Sequence, residues 1–328
     1  MKQLKAALIG FGGMGHCHAA QYSGQKDIQL VAICDISQDA LNKPIGTSEG
    51  DCAVYASAFK CTSFEELLEK CPDFDYLDIC LPTYLHKEYA IRAMRAGYHV
   101  ICEKPMALST ADCNDMIAVS YETGKFLMIA QCLRFCAQYI YIKELIDSQR
   151  YGKLLSISMQ RNNGLPKGWF QDEKLSGGAL MDLHLHDIDF LQFALGMPKS
   201  VYSIGVTAGS GGIDDCTTIY YYPNDLKTVA SGGWAHTKFS SAATAIFEKS
   251  NFELIGNELS RCYRNEPTET IAFPADTPNM YFREIEYFGE CIIKGERPSI
   301  SSIESTRDSI TLIEKELESI KTGRKLDL

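Results

Sequence analysis

The stretch KAALIGFGGMG, residues 5 to 15, decides the fold. It starts as a short apolar run typical of a buried strand and continues as Gly10, Gly12 and Gly15 in G-x-G-x-x-G spacing. Between a strand and a helix, Gly10 permits a tight turn, Gly12 lets the backbone approach a pyrophosphate, and Gly15 allows close helix–strand packing. N–H groups at the helix start would then face the pyrophosphate. The predicted phosphate-binding turn comprises Gly10, Gly12, Gly13, Met14 and Gly15.

A carboxylate follows this turn at the spacing that a nicotinamide dinucleotide requires. The apolar run 28 to 35 ends at Asp35, 20 residues after Gly15. An acid there accepts hydrogen bonds from the ribose hydroxyls of NAD and repels the 2′-phosphate of NADP. No arginine stands next to Asp35 to accommodate that phosphate. The glycines and the acid together predict NAD as the cofactor, against the alternative of a glycine-rich turn that binds nothing.

The rest of the first ~125 residues repeats the alternation of short apolar runs with helical segments. Further strands are predicted at 76–82, 98–105 and 126–131, and helices at 13–24, 64–70, 86–97 and 108–124. Apolar strands separated by helices indicate βαβ units, a parallel sheet and right-handed crossovers. We therefore expect an α/β Rossmann domain at the N-terminus.

After Gln131 the pattern changes to alternation with period two, typical of an antiparallel sheet with one exposed face. Strands are predicted at 154–162, 199–209, 216–223, 227–236 and 251–258, with helices at 137–149, 177–195, 281–294 and 303–321. This predicts an α+β C-terminal domain with an antiparallel sheet. The expected division is 1–128 for the NAD-binding domain and 129–328 for the second.

Composition excludes several classes of protein. The 328 residues are 45% hydrophobic and 23% charged, with a net charge of −10 and no dense basic cluster, so we expect no nucleic-acid partner. The N-terminal apolar run of about five residues is too short for a signal peptide, and none approaches the roughly 20 of a membrane helix. Thirteen cysteines without a Cys-x-x-Cys pair indicate a reducing compartment. We expect a cytoplasmic protein.

Two further segments end predicted parallel strands, where ligands bind in such sheets. In LPTYLH, residues 81 to 86, Pro82 and Thr83 are expected near the nicotinamide ribose, and His86 either binds there or only starts the next helix. In CEKP, residues 102 to 105, Lys104 either donates to a substrate hydroxyl or pairs with Glu103 at the surface. The predicted cofactor contacts from these segments are Pro82, Thr83, His86, Glu103 and Lys104.

The stretch GGALMDLHLHDIDFL, residues 177 to 191, holds two histidines and three aspartates. Its apolar periodicity predicts a helix, on which Asp182 and His186 are four apart and share a face. His184 and His186 are two apart and point away from each other, so they cannot chelate one metal together. We predict no metal site here, with a metal-dependent hydrolase as the alternative. His184 is expected to pack away from the site.

These motifs, in this order and spacing, resemble the Gfo/Idh/MocA family of NAD(P)-dependent oxidoreductases. GFGGMG, Asp35, LPTYLH, EKP and the Asp182–His186 pair carry the resemblance, which covers essentially the whole chain. It implies oxidation or reduction of a sugar, inositol or related polyol, and an open, mainly antiparallel C-terminal sheet that mediates homo-dimers or homo-tetramers. Many members have glycine where this chain has His184.

By this resemblance His186 is the acid/base, Asp182 supports it or binds substrate, and Lys104 stabilises the developing alkoxide. The catalytic residues expected are therefore Lys104, Asp182 and His186. Substrate contacts are expected from the loop 162–176 and its neighbourhood, namely from Arg134, Asn163, Trp169, Asp182 and His186. A redox-neutral glycosidase that uses NAD for transient oxidation would employ the same residues and stays an alternative. A dinucleotide-binding regulator is disfavoured, because such a protein is expected to lack Lys104 or His186.

Overall fold

A computed structural model describes residues 3–43, 57–223, 225–263 and 267–328, which form two compact units. The first unit comprises Met1–Ala107, Ala111–Cys132 and Pro278–Thr306, and the second comprises Leu108–Thr110, Leu133–Thr277 and Arg307–Leu328. The break at residue 132 lies close to the predicted boundary. Residues 278–306, expected in the second domain, instead belong to the first unit.

A six-stranded parallel sheet forms the centre of the first unit, in the order β3-β2-β1-β4-β5-β6. Its strands are β1 (Leu4–Ile9), β2 (Ile28–Cys34), β3 (Phe59–Cys61), β4 (Tyr76–Ile79), β5 (His99–Glu103) and β6 (Leu127–Ala130). The chain order reverses between β1 and β4, which makes the carboxyl ends of these strands the expected ligand crevice of a doubly wound sheet. The predicted Rossmann domain is confirmed.

Six helices of the first unit are α1 (Gly13–Tyr22), α2 (Gln38–Asn42), α3 (Phe64–Lys70), α4 (His86–Arg95), α5 (Thr110–Thr123) and α9 (Met280–Lys294). The helix α9 is capped by Asn279, whose side chain accepts a hydrogen bond from the Phe282 N–H. Asn279 donates a hydrogen bond to Gln21 of α1, and Gln25, just after α1, donates its side-chain amide to the Phe282 carbonyl. These contacts explain why residues 278–306 lie in the first unit.

The second unit contains a nine-stranded sheet in the order β14-β13-β12-β11-β7-β10-β9-β8-β15. Its strands are β7 (Leu154–Asn162), β8 (Ser200–Val206), β9 (Asp215–Tyr221), β10 (Lys227–Gly233), β11 (Ser240–Phe247), β12 (Asn251–Ile255), β13 (Glu258–Cys262), β14 (Glu269–Thr270) and β15 (Leu326–Asp327). Within this second sheet, only the β7–β10 pair is parallel among the pairings of the described residues. The predicted open, mainly antiparallel sheet is confirmed.

Helices of the second unit are α6 (Ala137–Ser148), α7 (Glu173–Ser176), α8 (Leu185–Leu195) and α10 (Ile303–Thr322), the last of which starts in the first unit. A π-helical turn at Leu180–His184 leads into α8, so the predicted regular helix over 177–195 is interrupted in its first half. Among the described residues, no helix combines the length and apolar character that crossing a bilayer requires.

Candidate active site

The glycine turn between β1 and α1 leaves open the space that a pyrophosphate needs. Gly10 has φ +93°, and a Cβ there would lie 2.5 Å from the Cys80 carbonyl oxygen. A Cβ on Gly15 would lie 2.0 Å from the Gly10 oxygen, which confines this position to glycine and brings α1 against the turn. Added Cβ atoms at Gly12 and Gly13 meet nothing within 4 Å. The turn therefore fits a dinucleotide, with the N-terminus of α1 beside the open space.

The carboxylate of Asp35 is oriented from both sides at the tip of β2. The Phe11 N–H donates to Oδ2 at 2.6 Å, and the Ser37 N–H donates to Oδ1 at 2.8 Å. The side chain is partly exposed, so acceptor capacity remains for hydroxyl groups of a ribose. The fixed carboxylate next to the glycine turn fits the adenosine half of NAD.

The segment LPTYLH forms a 3₁₀ turn, Thr83–Leu85, between β4 and α4. Thr83 and His86 are buried and Pro82 is partly exposed. His86 Nδ1 lies 2.7 Å from the Pro105 carbonyl oxygen, and Nε2 lies 2.8 Å from that of Leu81. Burial lowers the pKa of His86. The ring thus joins the two segments predicted to face the cofactor, which favours a supporting role over direct contact.

Glu103 and Lys104 end β5 in different environments. Glu103 is buried, and its Oε2 accepts a hydrogen bond of 3.1 Å from the Lys104 backbone N–H. Lys104 is partly exposed and precedes Pro105 through a cis peptide bond. Glu103 therefore does not lie at the surface, where the alternative interpretation of Lys104 placed it.

Asp182 and His186 are the two accessible residues of an otherwise buried helical segment. Every other residue from 178 to 192 is buried, whereas Asp182 and His186 are both partly exposed. Their spacing of four residues is close to one turn, with Asp182 inside the π-helical turn and His186 in α8. A carboxylate and an imidazole so placed can orient and deprotonate a hydroxyl group.

The remaining charged residues of HLHDID point into the second unit and have partners there. His184 is fully buried, with Nε2 3.5 Å from Oε2 of the buried Glu316. Burial opposes protonation of His184, but neighbouring Cys216 and Glu316 raise its pKa well above the ordinary value. Asp187 pairs with Arg161 at 2.8 Å. This placement agrees with the expectation that His184 packs away from the site.

Arg134, predicted as a substrate contact, is buried in an ion pair. Its Nε donates to Asp189 Oδ2 at 2.8 Å and its Nη2 to Asp189 Oδ1 at 2.6 Å. The Ser309 hydroxyl also donates to Oδ1 at 2.8 Å. Arg134 and Asp189 are 2% and 1% exposed, so the structure gives Arg134 a structural role and no access to substrate.

The loop after β7 presents polar and aromatic groups on the surface of the second unit. Asn163 is exposed, and its backbone N–H donates to the Gly233 carbonyl. Trp169 stacks on Phe170 at a centroid distance of 4.0 Å, and Phe170 packs against the buried Leu183. One face of Trp169 is thus covered, and the ring remains half-buried at the loop.

Sequence reasoning missed a buried group of titratable residues in the first unit. His18 on α1 lies among Asp78 on β4, Glu103 on β5 and Glu284 on α9. All four side chains are buried. No sequence spacing predicts that these four residues meet, because they come from four elements that are far apart in the chain. The one available signal was an acid, Asp78, within an apolar parallel strand.

Comparison with known proteins finds two family models along the chain. Residues 4–131 match an oxidoreductase family described as having an NAD-binding Rossmann fold, and residues 139–259 match the GFO/IDH/MocA C-terminal domain. Together these matches cover the first sheet, strands β7 to β12 of the second sheet, and the positions of Lys104, Asp182 and His186.

Several similar proteins carry the names of enzymes that act on sugars or cyclitols. The chain is 29% identical to 1,5-anhydro-D-fructose reductase of Ensifer adhaerens, over 73% of this chain and 75% of the relative. It is 27% identical to inositol 2-dehydrogenase of Rhizobium meliloti, over 89% of each. Aldose-aldose oxidoreductase from Caulobacter crescentus, solved with glycerol, superposes with a TM-score of 0.88 at 22% identity and covers all of both chains, which shows the shared fold.

Proposed function

The chain belongs to the Gfo/Idh/MocA oxidoreductase family, and on that premise we propose that it is an NAD-dependent dehydrogenase of a sugar, inositol or related polyol. NAD, expected from the glycine turn and Asp35, is the cofactor of the matched family. The observation that carries the proposal is the accessible Asp182–His186 pair on an otherwise buried helix, in a chain that also retains Lys104 at the end of β5.

Each catalytic residue has a distinct role in this proposal. His186 accepts the proton of a secondary hydroxyl, since an unprotonated ring nitrogen of an imidazole can act as a general base. Asp182 orients the imidazole or a neighbouring substrate hydroxyl, and Lys104 stabilises the negative charge that develops on the oxygen. Bound NAD⁺ supplies the hydride acceptor.

The substrate class rests on the relatives and on the loop after β7. Both curated relatives bear names of sugar or cyclitol enzymes. We assign Asn163 and Trp169 to substrate binding, because an exposed amide and an aromatic face suit hydroxyl groups and the apolar face of a sugar ring. Arg134 is left out, because it is buried against Asp189.

The proposal is tested by NADH formation at 340 nm with a panel of inositols, aldoses and sugar acids. NAD⁺ and NADP⁺ are compared in parallel, and products are identified by mass spectrometry. We expect oxidation of one polyol class with NAD⁺ preferred. No oxidation of any compound, by a protein that binds NAD⁺ in a thermal-shift assay, would contradict the assigned activity.

Asp35 is expected to determine the preference for NAD⁺ over NADP⁺. In an Asp35→Ser variant, kcat/KM for NAD⁺ should fall roughly tenfold to a hundredfold, because hydrogen bonds between the carboxylate and ribose hydroxyls are lost. The value for NADP⁺ should rise, because the repulsion of its 2′-phosphate is removed. The matched control is Asp39→Ser on α2, an exposed aspartate outside the predicted cofactor contacts. If the ratio of kcat/KM for NAD⁺ to kcat/KM for NADP⁺ stays at the wild-type value in Asp35→Ser, Asp35 does not determine the cofactor preference.

We also assign the outer face of the second unit's sheet to a homo-oligomer interface. The register places Ile204 and Val206 of β8 on one face with Ile219 and Tyr221 of β9, and their exposures lie between 39% and 58%. Ile255 of β12, on the same face, is 68% exposed. An apolar sheet face of this kind is typical of an association surface.

Substitution on that face should dissociate the assembly. An Ile204→Lys/Ile219→Lys double variant is expected to elute as a monomer at a concentration where the wild type is a dimer or tetramer, measured by light scattering. Ile293→Lys on α9 is the control, since Ile293 is also exposed but lies in the first unit. A wild type that is itself monomeric would contradict the assignment.

The location we propose is cytoplasmic, because the thirteen cysteines of the sequence include no Cys-x-x-Cys pair and are scattered as in proteins of a reducing compartment.

A further inference from the structure

We propose that His18 is a positioning residue for Lys104, acting through the buried carboxylate of Glu103; the inference rests on the proposed function. His18 belongs to α1, the helix that starts at the glycine turn, and Glu103 directly precedes Lys104. All contacts that carry the inference lie within the first unit.

The imidazole of His18 is held between two carboxylates. Nδ1 lies 3.0 Å and 3.1 Å from the two oxygens of Asp78, as hydrogen-bond partners. Nε2 lies 2.8 Å from Glu103 Oε1, in an ion pair that lacks hydrogen-bond geometry. The other oxygen of Glu103 accepts the Lys104 backbone N–H at 3.1 Å. A continuous series of polar contacts therefore joins His18 on α1 to the backbone N–H of Lys104.

The charges of the group follow from its burial. Burial opposes a charge on His18, but the Asp78 carboxylate raises the pKa of the imidazole well above its ordinary value. Asp78 also accepts a hydrogen bond of 2.8 Å from the Tyr22 hydroxyl. Glu284 has no hydrogen-bond partner for either oxygen, and burial raises its pKa well above the ordinary value. The imidazole of His18 thus lies between the carboxyl groups of Asp78 and Glu103.

This arrangement explains why the acid before Lys104 is buried. An ionised carboxylate in the interior is retained only when it is paired. Glu103 meets that requirement because one of its oxygens pairs with His18. Its other oxygen accepts a hydrogen bond from the Lys104 backbone N–H. Without His18, Glu103 would take up a proton or move, and the turn that presents the Lys104 side chain would shift. Displacements of about 1 Å can cost a hundredfold in rate.

A double-mutant cycle between His18 and Glu103 separates this role from a direct contact of Glu103 with the cofactor. The His18→Asn amide can keep the Asp78 hydrogen bond while it loses the reach to Glu103, and Glu103→Gln removes the charge at constant size. Each single variant should lower kcat on the order of tenfold or more, and the double variant should be no slower than the slower single. Losses that multiply in the double variant would overturn the proposal.

The backbone amide of Lys104 gives a readout that does not need turnover. In protein labelled with ¹⁵N-lysine and free of cofactor, His18→Asn should move the Lys104 amide resonance, because the Glu103 acceptor is disturbed. Glu284→Gln is the matched control, since it changes a carboxyl of the same cluster that has no hydrogen-bond partner, and it should leave the resonance in place. An unmoved Lys104 amide in His18→Asn would overturn the proposal.

The two readouts also separate failure of this inference from failure of the proposed function. If the wild type oxidises no polyol, the assigned activity fails, and the Lys104 amide alone decides the role of His18. If His18→Asn does not fold, the Lys104 amide resonance is measured in Glu103→Gln instead, because that substitution is the smaller change. In that case a Lys104 resonance that responds equally to Glu103→Gln and Glu284→Gln would overturn the proposal.

Discussion

Replacing His186 by asparagine is expected to lower kcat by roughly a hundredfold to ten-thousandfold, the usual contribution of a general acid or base. The amide cannot accept the hydroxyl proton, whereas the proposed cofactor contacts come from residues of the first unit. Lys104→Met should show a loss of similar order, because it removes the side chain proposed to stabilise the alkoxide. The measurement is steady-state NADH formation with the best polyol, together with the Kd of NAD⁺ by calorimetry.

The control for this prediction is His236→Asn, the same substitution at an exposed histidine of the second unit. It should leave kcat within about twofold of wild type, since surface substitutions rarely exceed 0.5 kcal/mol in effect. A His186→Asn variant as active as His236→Asn would exclude His186 as the acid/base. A variant that also fails to bind NAD⁺ would indicate a folding defect, which circular dichroism detects.

Removal of Asp189 is expected to be the most destabilising single change in the second unit. Asp189→Ala leaves the buried guanidinium of Arg134 without its bidentate partner, and breaking such a pair costs about 3–5 kcal/mol of the free energy of unfolding. Urea denaturation measures the loss. Asp147→Ala is the control: its exposed i,i+4 pair with Lys143 should contribute no more than about 0.5 kcal/mol.

The same pair decides whether Arg134 has any part in substrate binding. An Arg134→Met/Asp189→Leu double variant replaces both charges by apolar groups and should recover much of the stability lost in Asp189→Ala. Because Arg134 is buried, the KM for the polyol should stay near the wild-type value. A large increase in KM in a stable double variant would restore Arg134 as a substrate contact.

Local sequence patterns predicted much of the parallel sheet and its helices closely, because their signals are short and contiguous. The strand, glycine turn and helix of residues 4 to 22 are set by neighbouring side chains, and α3 has the predicted bounds of 64 and 70. The second sheet was less predictable. Strand β11 has small and polar residues in place of a clear alternation, and β14 and β15 have only two residues each.

The candidate site divides in the same way. Helical spacing alone separated His184 from His186, and the structure places His184 in the interior near Glu316. Helical spacing alone could not show that Asp189 is buried in an ion pair while Asp182 is accessible. That difference depends on Arg134, which is 55 residues from Asp189 in the chain. For the same reason, local patterns placed residues 278–306 in the second domain, whereas the structure packs them in the first unit: Phe282 and Asn279 form hydrogen bonds with Gln25 and Gln21, more than 250 positions away.

The number of NADH molecules formed per subunit tests the proposed activity most directly. Purified protein is mixed with excess NAD⁺ and a candidate polyol or glycoside, and absorbance at 340 nm is followed alongside substrate consumption. A dehydrogenase is expected to form many NADH per subunit, in step with the oxidised product, and to stop in the Lys104→Met and His186→Asn variants. Consumption of substrate with no more than one NADH per subunit would contradict the account and would indicate redox-neutral chemistry at the same residues.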